Sequence, residues 1–265
     1  MIEALLAALA GLLIGSFLNV CIYRMPRDIS VVTPRSFCPE CDCPIAWYDN
    51  VPLLSYAALG GRCRRCGARI PFRYPLVELL TGAAFFAAVW IFGLNGTGLK
   101  YCAFSAIIIT LVFSDLEERI LPDEFTIGGA ILGIVFAALV PQRGGLLRFF
   151  LPTLDPRLAA VIEASFAAIF SSFALFAVGF IYEKVRPREG LGLGDVKMVA
   201  MIGAFLGLQG VLLTLVAGSV LGSVVGLIFI LITRKDMSSY ELPCGALLGG
   251  AALGVAYMLG LQHLI

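Results

Sequence analysis

Long apolar stretches dominate the chain, falling at 3–23, 76–94, 99–114, 122–140, 158–181, 196–209, 211–232 and 243–262. Most come close to the roughly twenty residues that a helix needs to cross about 30 Å of hydrocarbon. Their apolar residues are not confined to one stripe, which is the pattern of helices surrounded by lipid or by other helices. The third and sixth runs are short. Only Gln209-Gly210 parts the sixth from the seventh, so those two could form a kinked pair. The pattern predicts an all-α polytopic membrane protein with about eight transmembrane helices. It also divides the chain into a first transmembrane helix at 1–23, a polar domain at 24–75 and a transmembrane helical domain at 76–265.

Composition agrees with that class. Of 265 residues, 60% are hydrophobic and 14% charged, where a soluble domain carries about 25% charged residues. A net charge of +1 and the lack of any basic-aromatic tract give no reason to expect a nucleic-acid partner, and the lipid bilayer is the expected one. The opening Met1-Ile-Glu-Ala-Leu-Leu has no basic leader region. Ala8-Leu-Ala10 imitates a cleavage site, but the apolar run continues through Gly15-Ser-Phe-Leu-Asn-Val20. It reads as a retained helix.

The few charges set an orientation. With eight spans, residues 24–75, 115–121, 182–197 and 233–242 share one side and hold fifteen of the nineteen Lys and Arg residues. Lys100, Arg143, Arg148 and Arg157 make up the other side. The positive-inside rule puts the richer side in the cytoplasm and both termini outside. Asp115 and Asp195 then share the cytosolic face, an agreement that the span count did not presuppose.

The 24–75 segment is too short and polar to bury a core unaided. Cys38-Pro-Glu-Cys41 and Cys63-Arg-Arg-Cys66 offer a staple, since two Cys-x-x-Cys knuckles supply four thiolates for tetrahedral zinc. A reducing cytosol disfavours the disulfide alternative. A four-cysteine site is closed, so this zinc is expected to be structural rather than to activate water. Cys43 reads as a spare thiol, and Cys21, Cys102 and Cys244 as small buried residues.

Two acids at the lips of apolar runs are the candidate chemistry, because ionisable residues there are costly to keep. Asp115 ends one run within Ser114-Asp-Leu-Glu-Glu-Arg-Ile-Leu-Pro-Asp123, and Asp195 opens another within Gly190-Leu-Gly-Leu-Gly-Asp-Val-Lys197. Paired aspartates hydrolyse peptides when one takes a proton from water and the other polarises the carbonyl and then protonates the amine. The dipole of each aspartate's own helix suggests Asp115 as the acid and Asp195 as the base. Gly192 and Gly194 would let backbone approach a peptide closely. A nucleotide loop is disfavoured, since no Gly-Lys-Ser/Thr follows and no strand precedes. The competing reading of Asp195 is an ordinary helix N-cap.

Other polar residues read less sharply. Asp123 and Glu124 follow Pro122 as helix-start acids, and Lys197 reads as a snorkelling side chain. Glu78 could cap, pair with an arginine or meet a polar substrate. Asn19 reads as an interhelical hydrogen-bonder. His263, the one histidine, lies at the far end on the outside, so Ser–His or histidine-metal chemistry has no candidate there.

Taken together, these residues resemble the type IV prepilin leader peptidase/N-methyltransferase family, a GxGD-type aspartyl protease family, over nearly the whole chain. Gly15-Ser-Phe-Leu-Asn-Val-Cys-Ile-Tyr-Arg-Met-Pro26 is similar to the family's opening. Residues 38–80 follow its zinc-domain pattern, and Asp115 with Leu121-Pro-Asp123 and Gly192-Leu-Gly-Asp-Val-Lys197 follow its aspartate motifs. The resemblance implies Asp115 and Asp195 as the catalytic pair. It also implies prepilin and pseudopilin substrates with hydrophobic stalks, cut after a glycine at the cytoplasmic face of the inner membrane. Bifunctional members then methylate the new N-terminal residue, usually Phe, with S-adenosylmethionine; no glycine-rich fingerprint for that cofactor stands in this sequence. Cys43 and the 141–157 loop depart from the pattern. A transporter or channel, or an assembly scaffold for a pilus or secretion machine, is the alternative. The transporter reading predicts acids near mid-membrane instead of at one lip.

Overall fold

The computed structural model describes residues 1–140, 153–185, 192–233 and 243–262. Most of the predicted 141–157 loop, Gly190, His263 and six of the counted cations (Arg143, Arg148, Arg186, Arg188, Arg234 and Lys235) lie outside them. The described residues are helical wherever the chain is strongly apolar, and they pack as two compact units, Met1–Phe113 and Ser114–Ile265.

In the first unit, α1 (Ile2–Arg24) runs beside α3 (Arg73–Phe92). Small residues make that approach possible. A Cβ on Gly11 would stand 2.8 Å from the Thr81 carbonyl oxygen, and one on Gly15 would stand 2.7 Å from the Glu78 Cα. Asn19 lies on the same face and donates to the Tyr74 carbonyl at 3.0 Å, the interhelical bond expected of it. Leu5, Leu9, Leu13 and Phe17, at fourfold spacing, form an exposed apolar stripe suited to lipid.

Between these helices the polar segment is held by backbone carbonyls and side chains instead of an apolar core. The buried Arg24 guanidinium donates to the carbonyls of Ser30, Pro34 and Arg35 at 2.9, 2.9 and 3.2 Å. The short α2 (Leu54–Ala58) follows a turn in which Leu53 adopts φ 60°. Glu78, buried in α3, accepts the Leu53 N–H at 2.8 Å. That bond ties α3 to the turn ahead of α2.

Helix α4 (Gly96–Glu118) starts on Asn95, whose Oδ1 accepts the Thr97 and Gly98 N–H groups at 2.9 and 3.1 Å. It runs past the short 99–114 apolar stretch, so Asp115 is helical. The second unit adds α5 (Asp123–Leu139), α6 (Pro156–Val185), α7 (Leu193–Thr233) and α8 (Cys244–Gln262). Helix α7 is central and packs against the other three.

The sequence places the sixth and seventh runs on either side of Gln209-Gly210. The backbone instead breaks at Gly207 (φ 71°, ψ −177°), two residues earlier. Gln209 is where polarity interrupts the run, but Gly207 is where the chain can turn, because a side chain is strained at that φ. Before the break, Met198, Val199, Met201, Ile202 and Phe205 are fully buried; beyond it Val216, Val220, Leu227 and Leu231 are exposed. Among the described residues six helices are long and apolar enough to cross a membrane, α7 counting as one, and α5 has 17 residues. The chain is a multi-pass, all-helical membrane protein with a four-cysteine cluster after its first helix.

Candidate active site and the four-cysteine cluster

Three helix ends meet around Asp115. Helix α4 stops because Arg119 turns to φ 56°, with its N–H bonded back to the Asp115 carbonyl at 3.1 Å. The Ser114 hydroxyl donates to the Ile120 carbonyl at 2.8 Å and ties down the reversal. Pro122 then opens α5, its carbonyl accepting the Phe125 and Thr126 N–H groups at 3.1 Å each. This tight passage fixes Leu121 beside Asp115.

Helix α7 begins at Leu193, one residue after Gly192, whose carbonyl accepts the Asp195 and Val196 N–H groups at 3.1 and 3.4 Å. Asp195 is therefore the third residue of the first turn, and Gly192 holds the capping position that the ordinary N-cap reading gave to Asp195. Its carboxylate folds back toward Gly192, where a Cβ would lie 3.7 Å from Oδ2. A Cβ on Gly194 would meet the Leu121 side chain at 3.2 Å.

The third end was not singled out from the sequence. The Ala246 N–H, in the first turn of α8, donates to Asp115 Oδ2 at 2.8 Å. A Cβ on Gly245 would lie 3.1 Å from the Asp115 carboxyl carbon and 3.2 Å from Leu121. Leu121 thus touches the starts of both α7 and α8, and Asp115 and Asp195 lie within Coulombic range of each other and of Cys244. Asp115 is 7% exposed, whereas Asp195 is half-buried. The dipole argument for acid and base considered only the helix that each aspartate belongs to. Each is in fact at a helix N-terminus, Asp195 at that of α7 and Asp115 against that of α8.

Lys197 and Asp123 also meet, with Nζ 2.7 and 2.9 Å from the two carboxylate oxygens. Read singly, one looked like a snorkelling cation and the other like a helix-start acid; together they tie α5 to the first turn of α7.

In the first unit the Sγ atoms of Cys38, Cys41, Cys63 and Cys66 lie within 4.8 Å of one another, with Cys38 and Cys66 at 3.9 Å. Zn–S bonds of about 2.3 Å in a tetrahedron require S···S separations of about 3.8 Å, so the cluster fits zinc. Both knuckles are folded alike. Cys38 accepts the Asp42 N–H and donates to Cys43, while Cys63 accepts the Gly67 N–H and donates to Ala68. Asp42 and Gly67, at equivalent places, both have positive φ. Cys43 supplies its carbonyl to the turn and is outside the four-thiol group. The Cys66 and Arg65 N–H groups bring the Cys63 thiol down to about 7. The Cys43 N–H likewise pulls the Cys41 thiol down, but lost hydration and the crowding thiols of Cys66, Cys43 and Cys38 outweigh it and push the thiol up to about 12. A divalent cation relieves that crowding by letting all four ionise.

Comparison with known proteins places this architecture. Residues 9–92 match the Bacterial Peptidase A24 N-terminal domain, and residues 102–227 match the Type IV leader peptidase family. The prepilin-like proteins leader peptide-processing enzyme of Escherichia coli is 34% identical over 271 residues, covering 96% of this chain and 93% of that protein. The chain belongs to the type IV leader peptidase family.

Other members of the type IV leader peptidase family are similar across most of the chain. The prepilin leader peptidase/N-methyltransferase of Myxococcus xanthus is 42% identical over 225 residues, covering 85% of this chain. The chain spans 62% of that relative's length. The Neisseria gonorrhoeae prepilin leader peptidase/N-methyltransferase is 31% identical, with 84% and 81% covered. No solved structure matches the chain. Both cysteine pairs and Glu78 fall inside the first matched segment, and Asp115 and Asp195 inside the second. The α8 start lies beyond both. The sequence did hold a signal for it, since Pro243-Cys-Gly opens the last apolar run on the side assigned to both aspartates.

Proposed function

We propose that this leader peptidase family member is a membrane aspartyl endopeptidase in which Asp115 and Asp195 share one water. The observation that carries this reading is the convergence of the α4, α7 and α8 ends, with Leu121 against both glycines. In the reaction the ionised aspartate takes a proton from water, whose oxygen bonds to the scissile carbonyl carbon. The protonated partner donates to the carbonyl oxygen; when the C–N bond breaks, a proton passes to the departing amine. Asp115 stands three residues before the last residue of α4, and Asp195 is third in α7. That placement favours hydrolysis over the transporter alternative, which needs acids near mid-span.

The relatives' names support prepilins as substrates, and the resemblance of the motifs implies pseudopilins as well, with cleavage after a glycine that precedes an apolar stalk. The names also support N-methylation, for which the resemblance implies S-adenosylmethionine as donor, and we assign that activity to no residue of this chain. The Lys and Arg distribution supports a cytosolic active face at the inner membrane, with both termini outside. Residues 24–75 act in this reading as a zinc-stapled domain ahead of the catalytic bundle.

The test is cleavage of a purified prepilin, read by mass spectrometry. Wild type is expected to release the leader and leave a product one methyl group heavier when S-adenosylmethionine is supplied. Asp115→Asn and Asp195→Asn, folded as wild type, are expected to do neither. Cleavage by both variants would overturn the peptidase.

A further inference from the structure

Asp115 differs from Asp195 in how it is held. Its own helix offers it nothing at Oδ2, since the carbonyl end of a helix carries no free donors. The donors come from 131 positions away, where the first turn of α8 presents N–H groups that no residue of that helix can accept. Ala246 gives the hydrogen bond at 2.8 Å, and the Gly245 amide contributes to the same end. Residue 245 has little room for a side chain on its inner face. A methyl there would stand 3.1 and 3.2 Å from Asp115 Cγ and Oδ2, tighter than most side-chain contacts, and 3.2 Å from Leu121, so the carboxylate would have to shift by a few tenths of an ångström. Gly250, farther along α8, has nothing within 4 Å of a Cβ.

We infer that the first turn of α8, through the Ala246 N–H and the bare face of Gly245, is the positioning element that fixes the rotamer of Asp115 and leaves Oδ1 as its reacting oxygen. Gly245 and Ala246 are positioning residues in this inference, since they act through Asp115. The inference rests on the aspartate-pair reading and adds to it a third helix end. A carboxylate free to rotate about χ2 would present either oxygen, and its distance to the shared water would vary. With Oδ2 occupied by the amide, only Oδ1 exchanges a proton with that water.

Full-length enzyme in lipid nanodiscs, with a purified prepilin, provides the test. Gly245→Ala is expected to lower kcat per folded molecule by roughly 10- to 100-fold, the usual cost of moving a reacting group by part of an ångström. KM for prepilin is expected to stay within twofold, since the change removes no side chain and acts on the aspartate rotamer. Ala246→Pro removes the N–H at a first-turn position that tolerates proline, and is expected to lower kcat in the same way. The pH profile of kcat should be displaced in both. Gly250→Ala on the same helix, where a Cβ meets nothing, is expected to match wild type in kcat, KM and pH profile. Folded fraction is measured by thermal melting, so a variant that folds poorly is still scored per folded molecule. Wild-type kcat and pH profile in Gly245→Ala, while Asp115→Asn and Asp195→Asn are inactive, would overturn the positioning role and leave the peptidase standing. Cleavage by both Asn variants would overturn the two together.

Discussion

Lys197 Nζ grips both oxygens of Asp123, at 2.7 and 2.9 Å, and so joins two helix starts 74 positions apart. The pair is substantially exposed, with 38% and 56% of the two side chains accessible, and such pairs contribute about 0.2–1 kcal/mol to stability. Its effect is expected in the position of Asp195, two residues before Lys197. Lys197→Met and Asp123→Asn should each lower kcat/KM for prepilin by roughly 2- to 10-fold with little change in melting. A double variant no worse than either single one would show that they act as a pair.

Zinc should hold the 24–75 segment together. One zinc per chain is expected by elemental analysis, lost on Cys38→Ser or Cys63→Ser and kept on Cys43→Ser. Because zinc binds thiolates, uptake must release protons. Cys63, at about 7, is partly ionised at neutral pH, whereas Cys41, near 12, is protonated and must give up its proton to the metal. Zinc affinity is therefore expected to rise with pH from 6 to 8, and calorimetry in buffers of different ionisation enthalpy should register the released protons.

Glu78 should matter through its hydrogen bond. Glu78→Ala leaves the Leu53 N–H without its acceptor and is expected to cost about 1–3 kcal/mol. Glu78→Gln keeps an oxygen for the same donor and should recover most of that. Thermal melting of the two variants is the measurement; equal losses would mean that the charge, and not the Leu53 bond, is what counts.

The α1–α3 approach makes an opposed pair of glycine predictions. Gly15→Ala puts a methyl 2.7 Å from the Glu78 Cα, so the helices must part and the Asn19–Tyr74 bond must lengthen. A loss of about 1–3 kcal/mol is expected. Gly128→Ala on α5 meets open space and should gain about 0.5–1 kcal/mol from helix propensity alone. Melting of both in the same detergent decides.

What the sequence made legible follows its physical carriers. Apolar length marked the helices within a few residues, because water and lipid sort side chains by polarity. Cysteine spacing marked the cluster, because four thiols at knuckle spacing have few other uses. Asp115 and Asp195 stood out because acids at apolar lips are costly. The partners of those residues did not stand out. Ala246 acts through a backbone N–H that every residue but proline carries, so no side-chain pattern could announce it. Lys197 and Asp123 each had an adequate local explanation, and only tertiary contact joined them. The α7 break fell at Gly207 because torsional freedom, and not polarity, decides where a helix turns.

That break has a consequence for the bundle. It divides α7 into an arm that carries Asp195 and is buried among its neighbours, and an arm whose apolar side chains are largely exposed. One element thereby supplies both a fixed wall for the chemistry and a face suited to lipid.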